Sequence, residues 1–274
     1  NLTISGTMNL NGHSLNLSAL DGDFTLSGGA IQWAEQAFTL NGSLTTSTSL
    51  NLGGGNHVIT GNVTMTGGTI NPNYGSLSIG GDVTMTGGTM DLYHGAEAIS
   101  GTLYQRGGTV NADHGALTIG GSYYMTGSGS VFTPGQEAYT TAYAYLKMDS
   151  AEDEVRVGGN FVCASAYSYD NGNSLTNGTM YIGGIFRQVS GYEKNFNTSG
   201  GHKVVFNGEG AQTIWFDSAD SGFTNAQFVN PQIVLSGKAL RGFTLNEDIS
   251  LTVETRNLTI SGTMNLNGHS LNLS

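Results

Sequence analysis

The chain has 274 residues, of which 43 are glycine, 3 proline and 1 cysteine; 11% are charged, and the formal net charge is −11. Glycine without a Gly-X-Y period excludes collagen, 38% hydrophobic content argues against disorder, and one cysteine excludes a disulfide scaffold or a cysteine-based zinc site. No run of about 18 apolar residues is present to span a membrane, and an acidic chain poor in Lys and Arg is an unsuitable partner for nucleic acid.

In chain order, a pattern opens at Asp23-Phe24-Thr25-Leu26-Ser27-Gly28-Gly29-Ala30-Ile31 and persists through a shorter unit from Ser43 to Gly61. Asn62-Val63-Thr64-Met65-Thr66-Gly67-Gly68-Thr69-Ile70-Asn71 then returns 20 residues later at Asp82–Asp91 and again at Thr102–Asn111, and a further copy opens at Ser122. Apolar residues alternate within each unit, Val63 with Met65 and Leu77 with Ile79, which predicts short strands joined by glycine turns. A 20-residue unit cannot bury its apolar face alone and must stack on neighbours of the same pattern. The expected fold is all-β: a single right-handed parallel β-solenoid with about 20 residues per coil. Glycines at Gly67-Gly68, Gly75 and Gly80-Gly81 are expected to supply corners with positive φ.

The regular coils occupy residues 1–127. Residues 128–159 read as an irregular, tyrosine-rich insertion, and 160–256 as longer, less regular coils. Residues 257–274 repeat residues 1–18 without one change. They are expected to be the opening coil of a second 256-residue period, and Asn1, with no initiator Met, fits an excised piece. About thirteen coils at ~4.8 Å each would make a rod of about 60 Å. End-to-end assembly would then rest on Leu2, Ile4, Met8 and Leu10 at one end and Leu258, Ile260, Met264 and Leu266 at the other.

Leu146–Ser150, Val155–Phe161 and Gly201–Gly208, with Gln212–Phe216 and Phe223–Asn225, resemble a module of long secreted bacterial surface proteins. The module is similar in kind to the β-solenoid shafts of filamentous-haemagglutinin-like adhesins. The resemblance covers roughly residues 146–230. It implies an extracellular, multi-module shaft at the bacterial cell surface, with no catalytic residues and no cofactor.

Polysaccharide-cleaving enzymes also use parallel β-helices, but they need carboxylates clustered on one face. Here Asp82, Asp91 and Asp113 occupy three different positions of the unit, and Asp149, Glu152, Asp153 and Glu154 beside Arg156 read as a solvated loop. No enzyme and no metal site is expected. Asn71, Asp91 and Asn111 form one column and Tyr74, His94 and His114 another, an amide ladder and an aromatic ladder. Outward Thr64, Thr66, Thr84 and Thr86 belong to two flat ranks similar to those of ice-binding solenoids. Tyr139, Tyr143, Tyr145, Tyr167 and Tyr169 form the patch where contacts to surface glycans would fall. The expected function is a structural module of an extracellular filament or adhesin shaft, with itself as head-to-tail partner; the alternative is a glycan- or ice-binding solenoid.

Overall fold

The computed structural model describes residues 1–6, 8–9, 15–17, 22–29, 31–32, 37–126, 143–164, 175–189, 196–210, 212–216, 223, 226–229, 232–237, 239–245, 249–253, 259–265 and 271–273. Every strand pairing is parallel, and no helix occurs among the described residues. The strands form sheets of 13, 7 and 12 members, each strand hydrogen-bonded to the equivalent strand of the next coil. The chain is a parallel β-solenoid.

One coil shows how the sequence dictates this. Val63–Met65, Thr69–Asn71 and Ser76–Ile79 lie in the first, second and third sheets. Each is only three or four residues long, because Gly-Gly or a four-residue turn interrupts the alternation. Val63 faces Val83, Ile70 faces Met90 and Ile79 faces Ile99, a 20-residue step in all three sheets. Alternation then sends Val63, Met65, Ile70, Leu77 and Ile79 inward, all at most 1% exposed. Burying each such side chain stabilises by roughly 1.5–3 kcal/mol, and the stack joins them into one continuous core.

The corners differ from expectation. Gly68, Gly88 and Gly108 do hold positive φ, at 70°, 84° and 78°. At the next corner the left-handed residues are Asn73, Tyr93, His94, Asp113 and His114 rather than Gly75. Gly75 and Gly80 are required for close approach: a Cβ there would lie 2.3 Å from the carbonyl oxygens of Gly55 and Thr60 respectively.

A polar staircase climbs the corner before the first sheet. The side chains of Asn1, Asp23, Ser43, Asn62, Asp82, Thr102, Ser122 and Asn160 each accept the backbone N–H of the corresponding residue one coil on, at 2.8–3.4 Å, ending on the N–H of Ile185. Small oxygen-bearing side chains at this place satisfy donors that the strands do not.

The irregularity falls inside narrower limits than 128–159. Gly108 faces Ala144 and Ala116 faces Glu154, so the strand frame has resumed by Ala144–Lys147; most of the extra residues precede that strand, where 127–142 lie outside the described residues, and two more fall between it and Glu154. Among the described residues Ala144–Lys147 is the last strand of the second sheet, whose column is carried on by the parallel bridge of Met148 to Leu175, and the later strands belong to the first and third sheets. There Phe161 faces Phe186, Phe186 faces Ile214 and Ile214 faces Leu235, giving uneven steps. Phe161, Phe186, Phe196, Phe206 and Phe223 fill the interior with ring centroids 4.8–6.3 Å apart.

Candidate functional site

The two identical 18-residue segments do not share a frame. Leu2–Ile4 lies in the first sheet opposite Phe24–Leu26, Met8 faces Ile31 in the second, and Leu15–Leu17 lies in the third. In the closing copy Thr259–Asn265 is one strand of the third sheet, with Ile260 facing Leu240 and Met264 facing Phe243, and Leu271–Leu273 is in the first. The residues equivalent to Thr3–Ile4 and Met8–Asn9, which lie in strands of two different sheets in the opening copy, thus fall in one strand of the third sheet in the closing copy. Period-two alternation fixes which face is buried, not which sheet the strand joins. Leu2, Ile4 and Met8 pack against the core while only partly buried; Leu10, Leu258 and Leu266 lie outside the described residues.

On the outer face of the first sheet Thr3, Thr25, Thr45, Thr64 and Thr84 stand in register, followed by Tyr104 and Tyr124, whose rings stack 5.6 Å apart. Thr66 and Thr86 are exposed beside them. The rank ends because Val162, next in the column, is itself buried with Ala164 and Val189.

In the second sheet Asn71 Nδ2 donates to Asp91 Oδ2 (3.2 Å) and Asn111 Nδ2 to Asp91 Oδ1 (3.0 Å). Burial, then the charge of Asp113, pushes the Asp91 carboxyl up, while both amides pull it down. At the adjoining corner Tyr74 stacks on His94 (5.3 Å) and His94 on His114 (4.6 Å). Tyr143 and Tyr145 stack at 6.3 Å; Tyr139, Tyr167 and Tyr169 lie outside the described residues.

The acidic run is not simply a solvated loop. Ala151 and Glu152 are exposed, but Asp153 is 1% exposed, and its carboxylate accepts the backbone N–H groups of His114, Asp149 and Ser150 at 2.7–2.9 Å. Three donors on one carboxylate offset its desolvation.

A groove of about 490 Å³ is lined by Gly120, Gly158 and Gly183 together with Arg156, Tyr181 and Glu209. Arg156 is committed within the protein. Its Nε and Nη2 donate to both oxygens of Glu154, and its guanidinium lies 3.9 Å from the Tyr181 ring centre. One carboxylate, Glu209, supplies no acid–base pair. Among the described residues no group of three or more His, Cys, Asp or Glu is placed to hold a metal ion, and no helix is long and apolar enough to cross a membrane.

No family model, curated protein or solved structure matches the chain. The interior therefore has to be read from its own chemistry. Sequence reading passed over three polar groups in the core. His57 is held neutral, Nδ1 accepting the N–H of Phe38 (3.1 Å) and Nε2 donating to Gly53 O (2.9 Å), with burial lowering its pKa. Glu97, 2% exposed, has no partner for either carboxyl oxygen; burial, and secondarily the charge of Asp91, push it up to about 8. His202 donates Nδ1–H to Asn177 O (2.7 Å) while its buried Nε2 has no partner, and burial takes its pKa down to about 4. The signal for Glu97 was present: it stands 20 residues from inward Leu77 and from inward Leu117.

Proposed function

We propose that the chain is a rod-forming structural module of an extracellular bacterial fibre or adhesin shaft, extended by further copies of itself. The observation that carries this reading is the uninterrupted first sheet of 13 parallel strands. Its terminal strands, Leu2–Ile4 and Leu271–Leu273, each pair on one side only among the described residues. Such an edge is a template for another strand, and a head-to-tail contact that does not close makes an open filament. The polar staircase supports the same reading, since Asn1 begins a column whose hydrogen bonds repeat from coil to coil. Within this proposal the module is secreted, non-enzymatic and without a cofactor, and its acidity keeps fibres apart in solution.

Electron microscopy of the purified chain, with light scattering across a concentration series, tests this. Rods longer than about 60 Å with ~4.8 Å layering, abolished by the paired change Leu2→Lys and Ile4→Lys, are expected. Discrete short particles at every concentration overturn it. The in-register threonines Thr25, Thr45, Thr64 and Thr84 favour one second reading, a surface for ice. Thermal hysteresis lost in Thr64→Tyr would support it; none in the parent chain would end it.

A further inference from the structure

Tyr74 is 64% exposed, yet its ring is fixed in place. It lies nearly parallel to the His94 ring, at 7° and 5.3 Å, and His94 stacks in turn on His114. Tyr93 meets Tyr74 edge-on (5.4 Å, 71°) and His94 edge-on (5.1 Å, 77°). The backbone beneath is left-handed at Tyr93, His94, Asp113 and His114, with φ of 32°, 60°, 40° and 67°. Gly95 N–H to Leu92 O and Gly115 N–H to Ala112 O, both 2.7 Å, close these turns. Turns of this hand ordinarily take Asn or Gly, because a bulky side chain there is strained. The chain instead places aromatic rings in them.

Among the described residues nothing continues the stack beyond Tyr74. The residue one coil before Tyr74 at this corner is Gly54, and a Cβ built on it meets nothing within 4 Å. One face of Tyr74 is covered by His94, and among the described residues no side chain stands one coil before it on the other. Two residues further along both coils, Ser76 Oγ donates to Asn56 Oδ1 at 2.9 Å.

We propose that Tyr74 and the notch over Gly54 form a binding site for a neutral saccharide ring. The C–H groups on one face of a pyranose carry partial positive charge and suit the negative face of a tyrosine ring. Its hydroxyls, at the rim, find partners in the Tyr93 hydroxyl and the Asn56–Ser76 pair. A planar cation would need a carboxylate beside Tyr74; among the described residues the one at this stack, Asp113, sits at its far end, paired with His114 at 3.3 Å. An anion or a nucleic acid is opposed by the net charge of −11 and by a sequence with no Lys or Arg before Arg106. Pre-stacking lowers the ordering cost of binding, because the ring is immobile before the ligand arrives.

Isothermal titration of the whole chain with cellohexaose, xylohexaose and chitohexaose tests the site independently of filament formation. At least one hexaose is expected to bind. Tyr74→Ala should weaken it by about tenfold or more, while Tyr74→Phe, which keeps the stack, should retain it. Gly54→Val, filling the notch at a position with room for it, should abolish binding with the melting temperature unchanged. No heat with any of the three sugars, or binding that survives both Tyr74→Ala and Gly54→Val, overturns the proposal.

Discussion

Asn62 Oδ1 accepts the backbone N–H of Asp82 at 2.8 Å, and Asp82 repeats the contact on Thr102 at the same distance. One small polar side chain per coil thus ties each layer to the next. Asp82→Ala removes a rung and leaves the Thr102 N–H to water, at a cost of about 1 kcal/mol. Asp82→Asn keeps an acceptor oxygen and should lose less than half of that. Urea midpoints of the two variants measure the difference; equal losses would show that the charge, not the acceptor, matters.

Glu97 should make the rod less stable as pH rises. Its carboxyl is pushed up to about 8 from an ordinary 4.5, so between these values the unfolded chain is ionised while the folded one still holds the proton. Stability is complete below about 4.5, falls as pH climbs and levels off above about 8. The full drop is on the order of 5 kcal/mol. Glu97→Leu continues the Leu77–Leu117 column and removes the titration. Its melting temperature should exceed that of the parent by several degrees at pH 8.5 and by much less at pH 4. An equal gain at both values would assign the effect to packing alone.

Most of the fold was legible in the sequence because one physical rule repeats. Val63, Val83 and Leu103 recur at the coil period, and alternation sends each inward. Legibility stopped where geometry is non-local. Nothing in the sequence indicates that the closing copy of the repeat leaves the frame of the opening copy and pairs as Thr259–Asn265 in the third sheet. Asp153 looked like part of a charged loop, since only the fold brings the N–H of His114 to it. The rings of Tyr74, His94 and His114 were visible as a column, but the left-handed backbone that aims them was not, because glycine seemed the natural occupant.

His202 gives the opposite slope at acid pH. Its pKa of about 4, against 6.5 for the free side chain, means that the unfolded chain binds a proton which the folded one refuses. Stability is complete above about 6.5 and is lost as pH falls towards 4, by on the order of 3 kcal/mol. His202→Asn can still donate to Asn177 O and does not titrate. The variant should therefore lose less stability than the parent between pH 6.5 and 4 when chemical denaturation is followed across that range. An unchanged acid limb would place the acid sensitivity elsewhere.

Asp91 links the amide ladder to the buried carboxyl. Its charge is the second cause of the raised pKa of Glu97, after burial. Asp91→Asn keeps one oxygen to accept from Asn71 and presents an N–H to Asn111, whose unpartnered Oδ1 accepts it once that amide turns over, so stability at pH 4 should change by no more than about 1 kcal/mol. With the repulsion gone, Glu97 ionises more readily in the folded state, and the alkaline loss of stability should level off at a lower pH and be smaller in total. In the double variant with Glu97→Leu the effect of Asp91→Asn on the alkaline limb should vanish, because the group it acts on is no longer there. Full persistence of that effect in the double variant would show that Asp91 acts on the solenoid by another route.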